Sequence, residues 1–168
     1  MAGESATIRI GDADQTKTFV AGIRGVTTGA ADAISVMIDS NGQLGTVSSS
    51  RRYKEDIHAM SEAASTTSDR LQQLRPVTFR YKQHAPGAET GEKPIQYGLI
   101  AEEVAEVFPE LAVLNEDGQP ETVKYHLLAP LLLNEVQKQR EALEEKDRRV
   151  EELEARLARL EAALNIEL

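Results

Sequence analysis

The sequence predicts an α+β protein in three parts: a β-rich N-terminal segment, a small mixed α/β region, and a long C-terminal helix. Three observations predict this. Residues 1–48 hold short β-prone runs separated by Gly, Asp, Asn and Thr clusters. Residues 49–126 mix helix-compatible stretches with strand-like alternation. From Glu135 onward the chain has no Gly or Pro, and its apolar residues recur at heptad spacing.

In residues 1–48 the strand-like runs are 6–10, 18–23, 34–38 and 44–47. Asn41-Gly42 is a strong tight-turn signal and predicts a hairpin over 34–47. These 48 residues carry mostly small side chains and cannot bury enough surface to fold alone. They are either a small sheet of one monomeric domain or a segment packed against other chains. The start, Met-Ala-Gly-Glu-Ser, lacks the basic and apolar regions of a signal peptide and reads as the edge of a longer protein with an added Met.

Farther on, Glu55 to Ala64 is helix-compatible, and Thr67-Ser68-Asp69 is placed to cap a short helix running to Leu74. Pro76 allows an extended exit into an alternating strand over 77–81. Residues 83–94 read as a polar loop, and Ile95 to Ile100 as a second strand pairing back on the first. Ala101 to Phe108 is a short helix stopped by Pro109, and Asp117-Gly118 turns between strands at 112–115 and 121–125.

Residues 127–168 read as helix. One heptad position holds Val136, Leu143, Val150, Leu157 and Leu164; the other holds Leu132, Gln139, Lys146, Leu153 and Leu160. Eight of these ten are apolar, which favours a coiled coil over a helix folded back on its own domain. Gln139 and Lys146 lie mid-seam, where polar residues cost stability but fix register or strand number.

The chemistry-bearing motif is Ser49-Ser50-Arg51-Arg52-Tyr53-Lys54, between a strand-like run and a helix-like stretch. A serine hydroxyl is a poor nucleophile until a base takes its proton, and Ser-Lys is a known variant of the Ser-His-Asp arrangement. A lysine acts as base when neutral, and neighbouring positive charge favours the neutral amine. Arg51 and Arg52 supply such charge. Ser48, Ser49 and Ser50 precede Lys54 by six, five and four residues, and spacing physics does not choose among them. The same serines also suit an N-cap or turn.

Downstream, five blocks follow in order: Leu74 to Tyr81, Tyr97 to Val104, Val107 to Leu111, Val123-Lys124-Tyr125, and Leu131 to Gln137. With the Ser-Lys pair, residues 46 to 145 resemble the C-terminal intramolecular chaperone domain of phage endosialidases and tail fibres, the S74 peptidase family. A similar domain occurs in the myelin regulatory factor transcription factors. The resemblance implies a homotrimer that guides trimeric folding of the segment before it, then cuts itself off at the bond preceding the serine. Mapped here, Ser49 is the nucleophile, Lys54 the base, and Ser48–Ser49 the cleaved bond. Many members have Asp or Asn directly after the serine, where this chain has Ser50.

On that resemblance residues 1–48 are the β-rich end of a fibre stalk, 49–126 the chaperone core, and 127–168 a trimeric coiled coil. Its core is Leu132, Val136, Leu143, Val150, Leu153, Leu157, Leu160 and Leu164. The partners implied are two further copies and the fibre segment of the same chain. The setting is a phage virion fibre or bacterial surface protein that folds in the cytoplasm. Two competing classes are a trimerisation module that does not cleave, and a coiled-coil adaptor whose N-terminal sheet is a recognition domain.

Composition narrows the field. A net charge of −9 argues against a nucleic-acid-binding surface. Without Cys there is no disulfide, thiol catalysis or Cys-ligated zinc, and no apolar run approaches membrane-spanning length. No cofactor or metal is expected. His58, His84 and His126 are scattered; His58, four residues after Lys54, would share its face on a helix and tune it. Glu102, Glu103 and Glu106 read as a solvated helix face, and Asp12, Asp14, Asp32 and Asp39 fit no calcium loop. Arg51, Arg52, Arg75 and Arg80 read as partners for the abundant acids rather than an anion site.

Overall fold

In a computed structural model the described residues are 6–8, 10–11, 14–60, 64–82 and 93–164. The chain divides into two units, Met1–Glu55 and Asp56–Leu168.

The first unit holds one hairpin among its described residues. β1 (Met37–Ile38) pairs antiparallel with β2 (Leu44–Gly45), Met37 opposite Gly45 and Ile38 opposite Leu44. The turn expected at Asn41-Gly42 is present, but its geometry differs from a two-residue turn. The Gly42 N–H donates to the Asp39 carbonyl at 3.0 Å, so Ser40 and Asn41 are the central residues. Gly42 itself takes the left-handed position at φ 77°. The Asp39 carboxylate accepts from the Asn41 and Gln43 N–H groups, both at 2.9 Å, and these bonds hold its pKa below the ordinary value.

The described residues of runs 6–10 and 18–23 do not form the expected strands; Arg9 lies outside them. A strand needs a neighbour to satisfy its N–H and C=O groups, and a lone two-stranded hairpin is marginal. The side chains tell the same story. Phe19 is 89% exposed, and Ile8, Ile10, Val20, Ile23, Ile34, Val36 and Val47 are also exposed.

In the second unit the helix expected over 55–64 does not form at residues 55–60. Asp56 takes φ 49°, a left-handed conformation that a right-handed helix cannot continue through. α1 spans Ala64–Gln73, so Thr67, Ser68 and Asp69 lie inside the helix rather than capping it. Past Pro76, β3 (Val77–Phe79) pairs antiparallel with β4 (Gln96–Gly98), Thr78 opposite Tyr97. The expected strand is shorter than 77–81, but the Tyr81 ring still packs edge-on to Phe79 at 5.4 Å. Most of the expected loop, residues 83–92, lies outside the described residues.

α2 (Ala101–Val107) starts with Glu102 and Glu103 in its first turn, where negative charge suits the helix dipole. It ends before Pro109, which opens a 3-10 turn over Pro109–Leu111. β5 (Ala112–Leu114) and β6 (Pro120–Val123) form the third hairpin. Its loop repeats the first: Asn115 Oδ1 accepts from the Asp117 and Gln119 N–H groups, and Gly118 is left-handed at φ 76°. A 3-10 turn at Tyr125–Leu127 leads into α3 (Leu128–Leu164). Pro130 sits in its first turn, where the missing N–H costs no helical bond. With 37 residues α3 is about 55 Å long.

The core is small. Ala101, Val104, Phe108, Leu111 and Val123 are buried, and Leu74, Leu99, Leu128 and Leu131 pack on them. Leu111 is only 2% exposed, and burying such a side chain contributes roughly 1.5–3 kcal/mol. α1 is bound to α3 by polar struts: Lys138 Nζ donates to Ser68 Oγ at 2.7 Å, and Gln72 Nε2 to Glu135 Oε1 at 3.1 Å. Beyond this region α3 does not fold back on its own domain. Leu143, Val150, Leu153, Leu157, Leu160 and Leu164 are all exposed. Arg140–Glu144, Arg148–Glu145 and Arg149–Glu152 pairs line its flanks.

Candidate functional site

The segment Ser48 to Lys54 is an extended strand exit closed by a 3-10 turn over Arg51–Tyr53. Two serines build it. Ser48 Oγ accepts the Ser50 N–H at 3.2 Å. Ser50 is the N-cap: its Oγ accepts the Arg52 N–H at 3.4 Å and the Arg52 Nε–H at 3.3 Å. Ser, Asp and Asn are comparable N-caps, so Ser50 supplies the acceptor that an Asp or Asn would supply there. The Tyr53 N–H donates to the Ser50 carbonyl and the Lys54 N–H to the Arg51 carbonyl, both at 3.1 Å.

Ser49 lies between these two tethered serines, immediately before the cap, and Lys54 is the C-cap residue of the same turn. Three 3-10 residues advance only about 6 Å, so the pair brackets one short turn. Both side chains are exposed. Arg52 stacks over the Tyr53 ring at 5.6 Å, and Tyr53 is exposed too. The helical-face argument for His58 falls with the helix that was to carry it. His126 is exposed in its 3-10 turn, and His84 lies outside the described residues.

Elsewhere, Arg75 pairs with Glu103, which raises the guanidinium's pKa, chiefly through the hydrogen bond. Arg80 donates to the Lys93 carbonyl. Among the described residues no group of three His, Asp or Glu is arranged to hold a metal, and no helix is long and apolar enough to cross a membrane.

Arg70 was not singled out by the sequence reading. Its guanidinium lies 3.9 Å from the centre of the Phe108 ring, and its Nε–H donates to the Val107 carbonyl at 2.9 Å. It also forms a two-bonded pair with Glu110, whose carboxyl is held below its ordinary value mainly by that hydrogen bond. Nothing local in the sequence brings residue 70 to residues 107–110.

A further surface feature is an apolar groove of about 490 Å³ between the end of α1, the β3–β4 hairpin and the start of α3. It meets the exposed heptad seam at Leu132.

The class is thus a mixed α/β unit with small strand pairs and a long C-terminal helix. Residues 49–113 match the family model described as chaperone of endosialidase, Peptidase S74, and the match supports an S74 chaperone domain in this part of the chain. No curated protein matches the chain.

Proposed function

We propose that this chain is the chaperone end of a fibre-like protein. It assembles as a homotrimer, orders the β segment before it, and cuts the bond between Ser48 and Ser49. One observation carries the reading: the family match begins at Ser49, the residue that the resemblance to the S74 family maps as nucleophile, five residues before Lys54. The exposed apolar side chains of residues 14–48 and of the α3 seam support assembly, because both are faces that identical neighbours would cover.

The reaction is a single intramolecular acyl transfer. The Lys54 amine takes the Ser49 hydroxyl proton, and Oγ attacks the Ser48 carbonyl carbon. The Ser48–Ser49 C–N bond breaks, the Ser49 nitrogen leaves as an amine with the transferred proton, and an ester joins Ser48 to Ser49 Oγ. Water hydrolyses the ester, restores the hydroxyl and frees the stalk with a Ser48 carboxylate. In the single chain both side chains stand exposed, so neighbouring copies would supply the enclosure and the oxyanion donors. Cutting would then follow correct assembly.

A second reading, the same trimer without cleavage, is favoured by the use of Ser48 and Ser50 as turn and cap acceptors. Light scattering with gel mobility of freshly purified protein separates the two. Trimer mass with two bands supports the proposal, and trimer mass with one intact band supports the second reading.

A further inference from the structure

We propose that the apolar groove beside α3 receives Leu133 of a second copy of this chain. The inference rests on the trimer reading above and adds a specific contact to it.

Three consecutive leucines open the argument. On a helix they stand about 100° apart, so they face three different ways. Leu131 packs on the core of its own chain. Leu132 lines the groove and is the first residue of the exposed seam. Among the described residues Leu133 belongs neither to the core cluster nor to the lining of the groove of its own chain, and it is 59% exposed. A leucine so placed has a large apolar surface without cover, on a helix whose other exposed faces are dense with Glu and Arg.

The groove has the complementary chemistry. Leu71, Leu74, Val77, Leu99 and Leu128 line it, with Tyr97 at its lip, 80% exposed. Water in such a groove is released favourably by an apolar side chain. Its volume exceeds one leucine and leaves room for part of the turn that carries it.

Register joins the two. Leu133 directly follows a seam position, so it flanks the seam on the side where an adjacent helix passes. In a parallel bundle equivalent residues lie at equal heights. The groove of the adjacent chain, with that chain's Leu132 in its wall, therefore stands level with the incoming Leu133. The seam continues past the coil into the globular unit, and each copy anchors the next.

The absence of native Cys makes the test direct. Thr78 also lines the groove, so Leu133→Cys and Thr78→Cys chains with different tags are refolded together and oxidised. Both positions are exposed, so neither change opens the core. The expected result is trimer mass by light scattering, with a disulfide-linked dimer carrying both tags on a non-reducing gel. Trimer mass without the mixed-tag dimer overturns the groove contact while the trimer reading stands. Monomer mass overturns both. A Phe19→Cys chain replaces Leu133→Cys in a parallel mixture. Trapping of that chain by Thr78→Cys in preference to Leu133→Cys assigns the groove to the N-terminal segment and overturns the proposal.

Discussion

The Tyr125 hydroxyl accepts the Leu99 N–H at 2.9 Å and closes over Gly98, where an added Cβ would meet the hydroxyl oxygen at 2.7 Å and Phe79 Cε1 at 3.3 Å. This contact ties β4 to the 3-10 turn that launches α3, so the hairpin and the long helix share one anchor. Gly98→Ala should destabilise the second unit by roughly 1–3 kcal/mol through overpacking. Tyr125→Phe should cost about 0.5–1.5 kcal/mol for the lost bond. Because removing the hydroxyl also removes the clash, the double variant should cost less than the sum of the two. Urea unfolding of the four proteins checks this, and strict additivity would contradict the contact.

Among the described residues Leu111 and Val104 are the most completely buried side chains. In so small a core Leu111→Ala should cost about 2–5 kcal/mol. Chemical denaturation monitored by circular dichroism should show the midpoint falling. A loss within about 0.5 kcal/mol, as at ordinary surface sites, would place Leu111 outside the core.

The Arg70–Glu110 pair makes stability depend on acid. The folded-state pKa of Glu110 is lowered, so its contribution is fully present above the ordinary value of 4.5 and is lost as pH falls through the lower folded value. Thermal midpoints measured from neutral pH downward should drop below that ordinary value. Glu110→Gln should flatten part of the drop and leave the midpoint at neutral pH lower than wild type. An unchanged acid slope in the variant would remove Glu110 from the account of acid sensitivity.

The parts legible in sequence are those set by local chemistry. Asn41-Gly42 and Asp117-Gly118 read as turns because a left-handed glycine is a local requirement, and in the structure the Asp39 and Asn115 side chains close these loops. The stop of α2 before Pro109 was legible too, because a proline cannot continue a helix. The helix expected at 55–64 failed at Asp56, where a left-handed backbone outweighs propensity. Strands expected at 6–10 and 18–23 were read from their β-prone side chains, but strand pairing is non-local, and the described residues of these runs form no strand. At the candidate site, the six-residue motif was legible, and so was the capping alternative that Ser50 fulfils. The Arg70 clamp was not, because it joins residues about forty apart in the chain.

Assembly should depend on the α3 seam. Leu153 and Leu157 are exposed in one chain and occupy the two heptad positions. Changing both to Asp should lower the solution mass at micromolar concentration without unfolding the second unit, whose core they do not touch. Core leucine losses of about 2–5 kcal/mol per site would repeat in every copy. Unchanged trimer mass in the double variant would contradict the seam.

The most direct measurement is a denaturing intact-mass spectrum of freshly purified wild-type, Ser49→Ala and Lys54→Arg proteins, each with chelator present. Wild type should give two species that divide between Ser48 and Ser49, the larger beginning at Ser49. Both variants should give one species at the full 18.4 kDa, because one lacks the nucleophile and a guanidinium cannot serve as base. A single full-length species in trimeric wild-type protein, or a Ser49→Ala protein that still divides at the same bond, would contradict self-cleavage by Ser49 and Lys54.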